Sequence, residues 1–331
     1  MKILVTGDWH FAFDRVETPY ESERVNKVLA SLKNIVDTHQ PDASIFLGDF
    51  AKGKQRVTYK GVARLLQGLD ILTKSYILLG NHDISSESSL LSEESSQYKV
   101  IAKPLCIERT PKVDWLFLPY GCSLDDMQKA VAGLNPQKIV YVFGHFGLNG
   151  ASFGTGTPFV AIDEVPPSLF DVPNIKHIYL GHYHLRQTVG KVTYVGSPWQ
   201  VTFGEEADDK YVLILTEDEA GILSEEWVTT DCNDLETISV NDIPSLDKYL
   251  RINFRSELER ESFLAKYPKA KIVQWVFDEE EDIVSGKMGV STDEFMISPE
   301  KIIKLYGEQE SLTEKQIKLG LNLMRKAVND F

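Results

Sequence analysis

Seven histidines occur in the 331-residue chain, and five of them fall in short polar clusters. In order, the clusters are Asp8-Trp9-His10, Gly48-Asp49, Gly80-Asn81-His82-Asp83, Gly144-His145 and Gly181-His182-Tyr183-His184. Asp8, His10, Asp49, Asn81, His82, His145, His182 and His184 supply imidazole, carboxylate and one amide oxygen. Such a mixed nitrogen and oxygen set suits Mn²⁺, Fe²⁺ or Zn²⁺ better than Ca²⁺ or a thiolate-bound metal. Eight groups are too many for one tetrahedral ion with an open position. They suffice for two ions about 3.5–4 Å apart that share a bridging carboxylate. A pair of that kind lowers the pKa of a bridging water and holds a phosphate oxygen on each metal. A lone histidine after an apolar strand is more often a packed core residue, and Gly-Asp alone is a turn. Five such events, each in the same kind of place, point instead to a dinuclear site. His39 and His177 belong to no cluster and read as packing residues.

Each cluster follows a short apolar, β-branched or aromatic run ending in Gly: KILVTG, ASIFLG, YILLG, IVYVFG and IYLG. Runs of this length bounded by Gly read as buried strands. Helix-compatible stretches at 21–38 and 58–73 lie between them. Strand–helix alternation implies an α/β fold with at least a partly parallel sheet. In such sheets functional groups gather beyond the carboxyl ends of the strands, which is where the clusters fall. Residues 192–228 read as further strands, and 229–245 as a turn-rich boundary. YLRINF (249–254), SELERESFLAKY (256–267) and KIVQWVF (271–277) then form a βαβ-like unit, followed by a solvated DEEED loop. Residues 298–330 read as two short helices, with Pro299 at a first helical position and a capping box starting at Thr313.

Hydrophobic residues make up 43% and charged residues 25%, which excludes disordered, collagen-like and coiled-coil chains. No run of about 18 apolar residues exists, so no membrane span is expected. The N-terminal segment does not read as a signal peptide. Cys106, Cys122 and Cys232 are too few and too scattered for a disulfide framework or a zinc knuckle. A cytoplasmic setting is expected. The net charge of −14 argues mildly against nucleic acid as a partner, but residues 205–236 hold 12 acidic residues against a single lysine. That segment contributes −11, and the rest of the chain is nearly neutral.

The ordered clusters resemble the calcineurin-like metallophosphoesterase superfamily over residues 1 to about 228. The resemblance implies two mixed β-sheets packed together and flanked by helices, a four-layer arrangement. It implies that Asp8, His10, Asp49 and His184 hold one metal. Asp49, Asn81, His145 and His182 would hold the other, with Asp49 bridging. His82 would bind no metal and would act as general acid or charge stabiliser towards the leaving oxygen. TYVGSPWQVTFGEE (193–206) further resembles the segment after the last motif of SbcD-type DNA nucleases. The small subunits of phage recombination endonucleases are similar too. The likeness is strong over 1–206 and only architectural beyond.

That second resemblance implies a nuclease domain at 1–228, a small α+β capping, DNA-binding domain at 229–297 and a helical partner-binding segment at 298–331. It implies a Mn²⁺-dependent nuclease, exonucleolytic on double-stranded and endonucleolytic on single-stranded DNA. Two Mn²⁺ per chain are expected, with Mg²⁺, Fe²⁺ or Zn²⁺ as alternatives. The implied partners are DNA and a coiled-coil ABC-type ATPase of SbcC type, with a homodimer inside a heterotetramer. In the last helix Ile317, Leu321, Met324 and Val328 form an apolar stripe that would dock on that ATPase or fold back on the capping unit. A phosphatase or cyclic-nucleotide phosphodiesterase could use the same dinuclear site. A non-catalytic scaffold is the third reading, and it predicts missing ligands.

One position departs from the pattern. Many relatives carry an Asp or His three residues after the second-cluster Asp, supporting the general acid; here that residue is Lys52. A lysine side chain cannot accept a hydrogen bond from imidazole. Support for His82 is therefore expected elsewhere, with Asp83 the candidate. The segment KGKQRVTYKGVAR (52–64) is basic throughout and starts beside Asp49. Lys54 and Arg56 within it, and Arg186 after the last cluster, are candidate DNA contacts. Lys60 and Arg64 share its charge, one helical turn apart, and equally suit a solvated helix face.

Overall fold

The computed structural model describes residues 1–12, 17–52, 58–84, 97–152, 164–277 and 284–287. Four strands open the fold: β1 (Lys2–Thr6), β2 (Ala43–Phe46), β3 (Ser75–Leu78) and β4 (Tyr98–Ile101). They pair in parallel in that order. Two helices cross between them, α1 (Pro19–His39) and α2 (Tyr59–Ile71). Helix α1 begins where Thr18 and Glu21 form a reciprocal cap, satisfying N–H groups that the first turn would leave unpaired.

The next six strands build a second sheet: β5 (Leu105–Thr110), β6 (Val113–Leu118), β7 (Ile139–His145), β8 (Ile175–Gly181), β9 (Gln187–Val189) and β10 (Val192–Tyr194). Their order is β5-β6-β7-β8-β10-β9, parallel from β6 to β10 and antiparallel at both edges. Helix α3 (Leu124–Ala132) packs outside it. The chain then returns to the first sheet with β11 (Tyr211–Glu217), antiparallel to β1, and β12 (Leu223–Thr229). Both six-stranded sheets are therefore mixed.

Side-chain alternation along the strands builds the layers. Ile3, Val5, Trp115, Phe117, Phe143 and Leu213 meet between the two sheets. Leu4, Phe46 and Ile77 face the other way, onto Val25, Val28 and Leu32 of α1. Leu116, Val142 and Leu180 likewise cover Met127 and Val131 of α3. The result is helix, sheet, sheet, helix. With both faces of each sheet covered, the central strands are apolar at nearly every position, as buried parallel strands are.

A smaller sheet follows: β13 (Leu235–Ser239), β14 (Tyr249–Phe254), β15 (Lys271–Phe277) and β16 (Val284–Lys287). Helix α4 (Glu257–Lys266) bridges β14 and β15. Strand β13 lies within the segment expected to be turns, where pairing with β14 makes a strand of LETIS. Residues Met1–Lys287 form one unit. The small sheet is tied to the rest by Arg24 of α1, whose Nε donates to Asp234 Oδ1 at 2.8 Å. The same guanidinium lies 4.7 Å from the Trp199 ring, and Trp199 Nε1 donates to the carbonyl of Trp9 at 2.7 Å. Both Arg24 and Asp234 are buried, so each needs the other.

The expected C-terminal helices and their apolar stripe at Ile317, Leu321, Met324 and Val328 lie outside the described residues, as do the DEEED loop and the basic residues Lys54 and Arg56. Among the described residues, no helix is long and apolar enough to cross a membrane.

Candidate metal centre

All five expected strand ends point their polar clusters to one place. β1, β2, β3, β7 and β8 end at Thr6, Phe46, Leu78, His145 and Gly181, and the candidate residues sit at or just beyond those ends. Asp8, His10, Asp49 and His182 hold backbone φ angles of 53°, 47°, 61° and 101°. Such left-handed conformations are costly for residues with a Cβ and persist where the surrounding structure imposes them, often at functional sites. The glycines between strand and ligand allow the loops to approach. A Cβ on Gly80 would lie 2.1 Å from Asp49 Oδ1, and one on Gly48 would lie 2.6 Å from His145 Nδ1.

The donor atoms form one continuous cluster. Asp8, His10 and His184 each offer an atom within 4.8 Å of the others. So do Asp8, Asp49 and His145. Asn81 Oδ1 lies 3.0 Å from His145 Nε2 and 3.1 Å from His182 Nδ1. Asp49 stands in the middle. Its Oδ1 accepts the His82 backbone N–H at 2.8 Å, while Oδ2 lies 3.4 Å from His10 Nε2 and 3.5 Å from His145 Nε2. Oδ2 thus faces both halves of the cluster, as a bridging oxygen must. The Asp8 carboxylate accepts the backbone N–H of His182 at 3.0 and 3.1 Å, which fixes its position.

Protein acceptors orient the imidazoles. His145 Nδ1 contacts the Leu47 carbonyl at 2.6 Å, leaving Nε2 for the cluster. His184 Nδ1 contacts Glu205 Oε1 at 2.9 Å, and its Nε2 then meets His10 Nε2 at 2.9 Å. Two ring nitrogens at that distance repel unless they share a proton or a cation. With Zn–N bonds of about 2.0–2.1 Å, for example, donors around one ion stand roughly 3 Å apart, so the spacing fits a cation.

Burial and mutual charge shape the ionisation of these side chains. Burial pushes the Asp8 carboxyl up to about 7, with the Asp49 charge adding to the push. Burial opposes ionisation of Asp49 as well, yet His145 and His10 hold its carboxyl below the usual range. Burial works against a charged His145, but Asp49 and Asp8 outweigh it and raise its pKa to about 9. Burial, together with His145, lowers His182 to about 4.

Residues 1–186 match the calcineurin-like phosphoesterase family. The chain belongs to that family. Members of the calcineurin-like phosphoesterase family bind a dinuclear metal site and are hydrolases of phosphoester bonds. In this chain the structure brings together a cluster of Asp and His side chains that could hold metal. The chain is 24% identical over 222 residues to exonuclease subunit 1 of Enterobacteria phage T4, a match covering 63% of this chain and 63% of the relative. Among solved structures, purple acid phosphatase PPD1 from yellow lupin seeds matches 70% of this chain and 52% of its own at 12% identity, with a TM-score of 0.41. The phosphoesterase Yfce from E. coli matches 70% of this chain and 100% of its own at 14% identity, with a TM-score of 0.32.

Two expectations about this phosphoesterase site change. Asp83 does not orient the His82 ring. It is buried, and its carboxylate accepts the backbone N–H groups of Asp49, Phe50 and Gly80 at 2.7, 2.9 and 2.9 Å. It therefore pins the second and third clusters together. The contact to His82 Nδ1, 2.9 Å away, is the backbone carbonyl of Lys52. The residue whose side chain cannot do the task does it with its main chain. The second change concerns the basic segment. Arg64 is buried and forms a two-pronged pair with Glu17 at 3.1 and 3.0 Å, and Lys60 reaches the same carboxylate at 3.0 Å. Both fasten α2 to the start of α1. Arg186 is exposed, its guanidinium 4.3 Å from the Tyr211 ring and 5.0 Å from the Trp227 ring.

His82 sits beside the first half of the cluster, its ring 4.8 Å from that of His10. Glu205, which meets His184 Nδ1, is not among the residues that the sequence offered as candidates. It lies 21 positions after His184, at the end of the 193–206 segment singled out by its resemblance and at the start of the acidic stretch, and neither feature marks it as a partner of His184.

Proposed function

We propose that the chain is a DNA nuclease subunit that hydrolyses phosphodiester bonds at a Mn²⁺-loaded dinuclear centre. The observation that carries the phosphodiesterase chemistry is Asp49 Oδ2, set between His10 Nε2 and His145 Nε2. Asp8, His10, Asp49 and His184 would hold one ion, and Asp49, Asn81, His145 and His182 the other. Bound there, two divalent cations would lower the pKa of a shared water and neutralise charge on the phosphate oxygens. The mixed imidazole and carboxylate set suits Mn²⁺, Fe²⁺ or Zn²⁺, and the resemblance to SbcD-type nucleases favours Mn²⁺ among them.

The protein's own part is orientation and proton transfer. His82 donates Nδ1–H to the Lys52 carbonyl, which aims Nε2 away from the backbone. As an imidazolium it would give its Nε2 proton to the departing sugar oxygen. Arg186 is the candidate for a backbone phosphate: its aromatic bed holds the guanidinium plane, and such a plane suits bidentate phosphate contact.

DNA as substrate rests on the similarity to the phage exonuclease subunit and on the GSPWQVTFGE segment. The word subunit in that relative's name supports a partner, which we take to be an SbcC-type coiled-coil ATPase in a heterotetramer containing two copies of this chain. Residues 229–297 would cap the DNA and 298–331 would bind the ATPase. Purified protein in Mn²⁺ should degrade labelled duplex and single-stranded DNA. Hydrolysis of p-nitrophenyl phosphate esters alone would overturn the nuclease reading and leave a phosphatase or cyclic-nucleotide phosphodiesterase.

A further inference from the structure

Glu205 occupies a buried network that the mechanism above does not use. It closes a 3-10 turn, Phe203–Glu205, and is 7% exposed. Its Oε1 contacts His184 Nδ1 at 2.9 Å. Its Oε2 accepts from Lys210 Nζ at 2.6 Å and from the Val201 backbone N–H at 3.2 Å. Lys210 is itself 1% exposed and also donates to Ser197 Oγ at 3.0 Å. A buried lysine needs a carboxylate, and a buried carboxylate needs a cation. The pair therefore locks the turn in one place. We infer that Glu205 is a positioning residue: it fixes His184 with Nδ1 protonated, so that Nε2 is the free donor facing His10.

A carboxylate behind a ligating imidazole sets its tautomer and ring plane and raises its basicity. Loss of such a partner typically weakens metal binding about 10–100-fold. Among the described residues, a carboxylate stands behind His184 in one half of the cluster. His145 leans on a neutral backbone carbonyl instead.

The back of the same turn carries the small sheet. Phe203 packs with Leu235, Tyr249 and Val273, and the Arg251 guanidinium lies 5.0 Å from its ring. Phe203 and Glu205 are two positions apart, one facing the small sheet and the other His184. Seating of the sheet thus sets the carboxylate that sets the ligand.

The inference rests on the dinuclear reading, so the experiment measures both sites. Mn²⁺ is titrated calorimetrically into the full chain, its Glu205→Gln and Phe203→Ala variants, and a Glu205→Met/Lys210→Met double variant that removes the ion pair as a unit, leaving the buried Asp208, 3.9 Å from Lys210, in place. Two binding events are expected for the unaltered chain. In the double variant one of them weakens about 10–100-fold and the other stays within about threefold. Glu205→Gln, which keeps the acceptor oxygen but not the charge, restores part of the loss. Phe203→Ala weakens the same site and spares the other. Unchanged affinities at both sites would overturn the positioning role and leave the dinuclear reading intact. Equal weakening of both sites with a lowered Tm would also overturn it, showing a purely structural turn. A single binding event in the unaltered chain would overturn the dinuclear reading, and the inference with it.

Discussion

Replacing Asp49 with alanine should empty both halves of the centre at once. Its Oδ2 is 3.4 Å from His10 Nε2 and 3.5 Å from His145 Nε2, so one oxygen serves both donor sets. Its charge also opposes the cost of burying the imidazoles around it. The expected loss exceeds about 100-fold in Mn²⁺ affinity at each site, beyond the range seen when only a supporting group is removed. His10→Ala should differ, because His10 touches only one donor set: one site weakens strongly and the other survives. Calorimetric titration of the two variants side by side checks this. A site-selective loss in Asp49→Ala, resembling that of His10→Ala, would show that the carboxylate does not bridge. Circular dichroism should confirm that Asp49→Ala stays folded. Its Oδ1 holds a single backbone N–H, and the neighbouring loops remain pinned by Asp83.

His82→Ala should give the opposite signature, full metal occupancy and little turnover. General acids contribute about 10²–10⁴-fold, and the leaving sugar oxygen is a poor leaving group without a proton. The His82 ring lies within 4.8 Å of the His10 and Asp49 donor atoms, but retained occupancy is expected because Asp8, His10, Asp49 and His184 would supply that half of the centre without it, and its Nδ1 is engaged by the Lys52 carbonyl. The same contact predicts that Lys52→Ala changes turnover by less than about threefold, since any residue there presents a carbonyl. Single-turnover cleavage of labelled DNA at saturating Mn²⁺, paired with metal analysis, reads both quantities. Loss of metal from His82→Ala, or near-normal cleavage at full occupancy, would remove the imidazole from its assigned role.

The strands that carry the cluster were legible in sequence for a physical reason. Buried on both faces, they appear as short apolar runs, and each must end in glycine or nearly so because the loops beyond them touch. Elements at the sheet margins gave weaker signals. The edge strand Leu105–Thr110 alternates between half-buried and exposed positions, and LCIERT has no continuous apolar run. Leu235–Ser239 is five residues among turn formers, and only its neighbour Tyr249–Phe254 makes it a strand.

Long-range polar pairing was the part that sequence could not reveal. Arg64 reads as a free basic residue until Glu17, 47 positions earlier, is seen beneath it. The acidic segment 205–236 reads as bulk charge, yet Glu205, Glu217 and Asp234 within it are buried against Lys210, Arg109 and Arg24. The support for His82 was invisible for a different reason. It comes from a backbone carbonyl, which every residue type provides.

The central claim is that this chain assembles two adjoining metal sites about one shared carboxylate. Anomalous diffraction from crystals soaked in Mn²⁺, with data collected near the manganese absorption edge, tests it most directly. The account predicts two peaks about 3.5–4 Å apart with Asp49 between them. One should be bounded by Asp8, His10 and His184, and the other by Asn81, His145 and His182. A single peak at saturating Mn²⁺, or two peaks with Asp49 bound to only one, would contradict it.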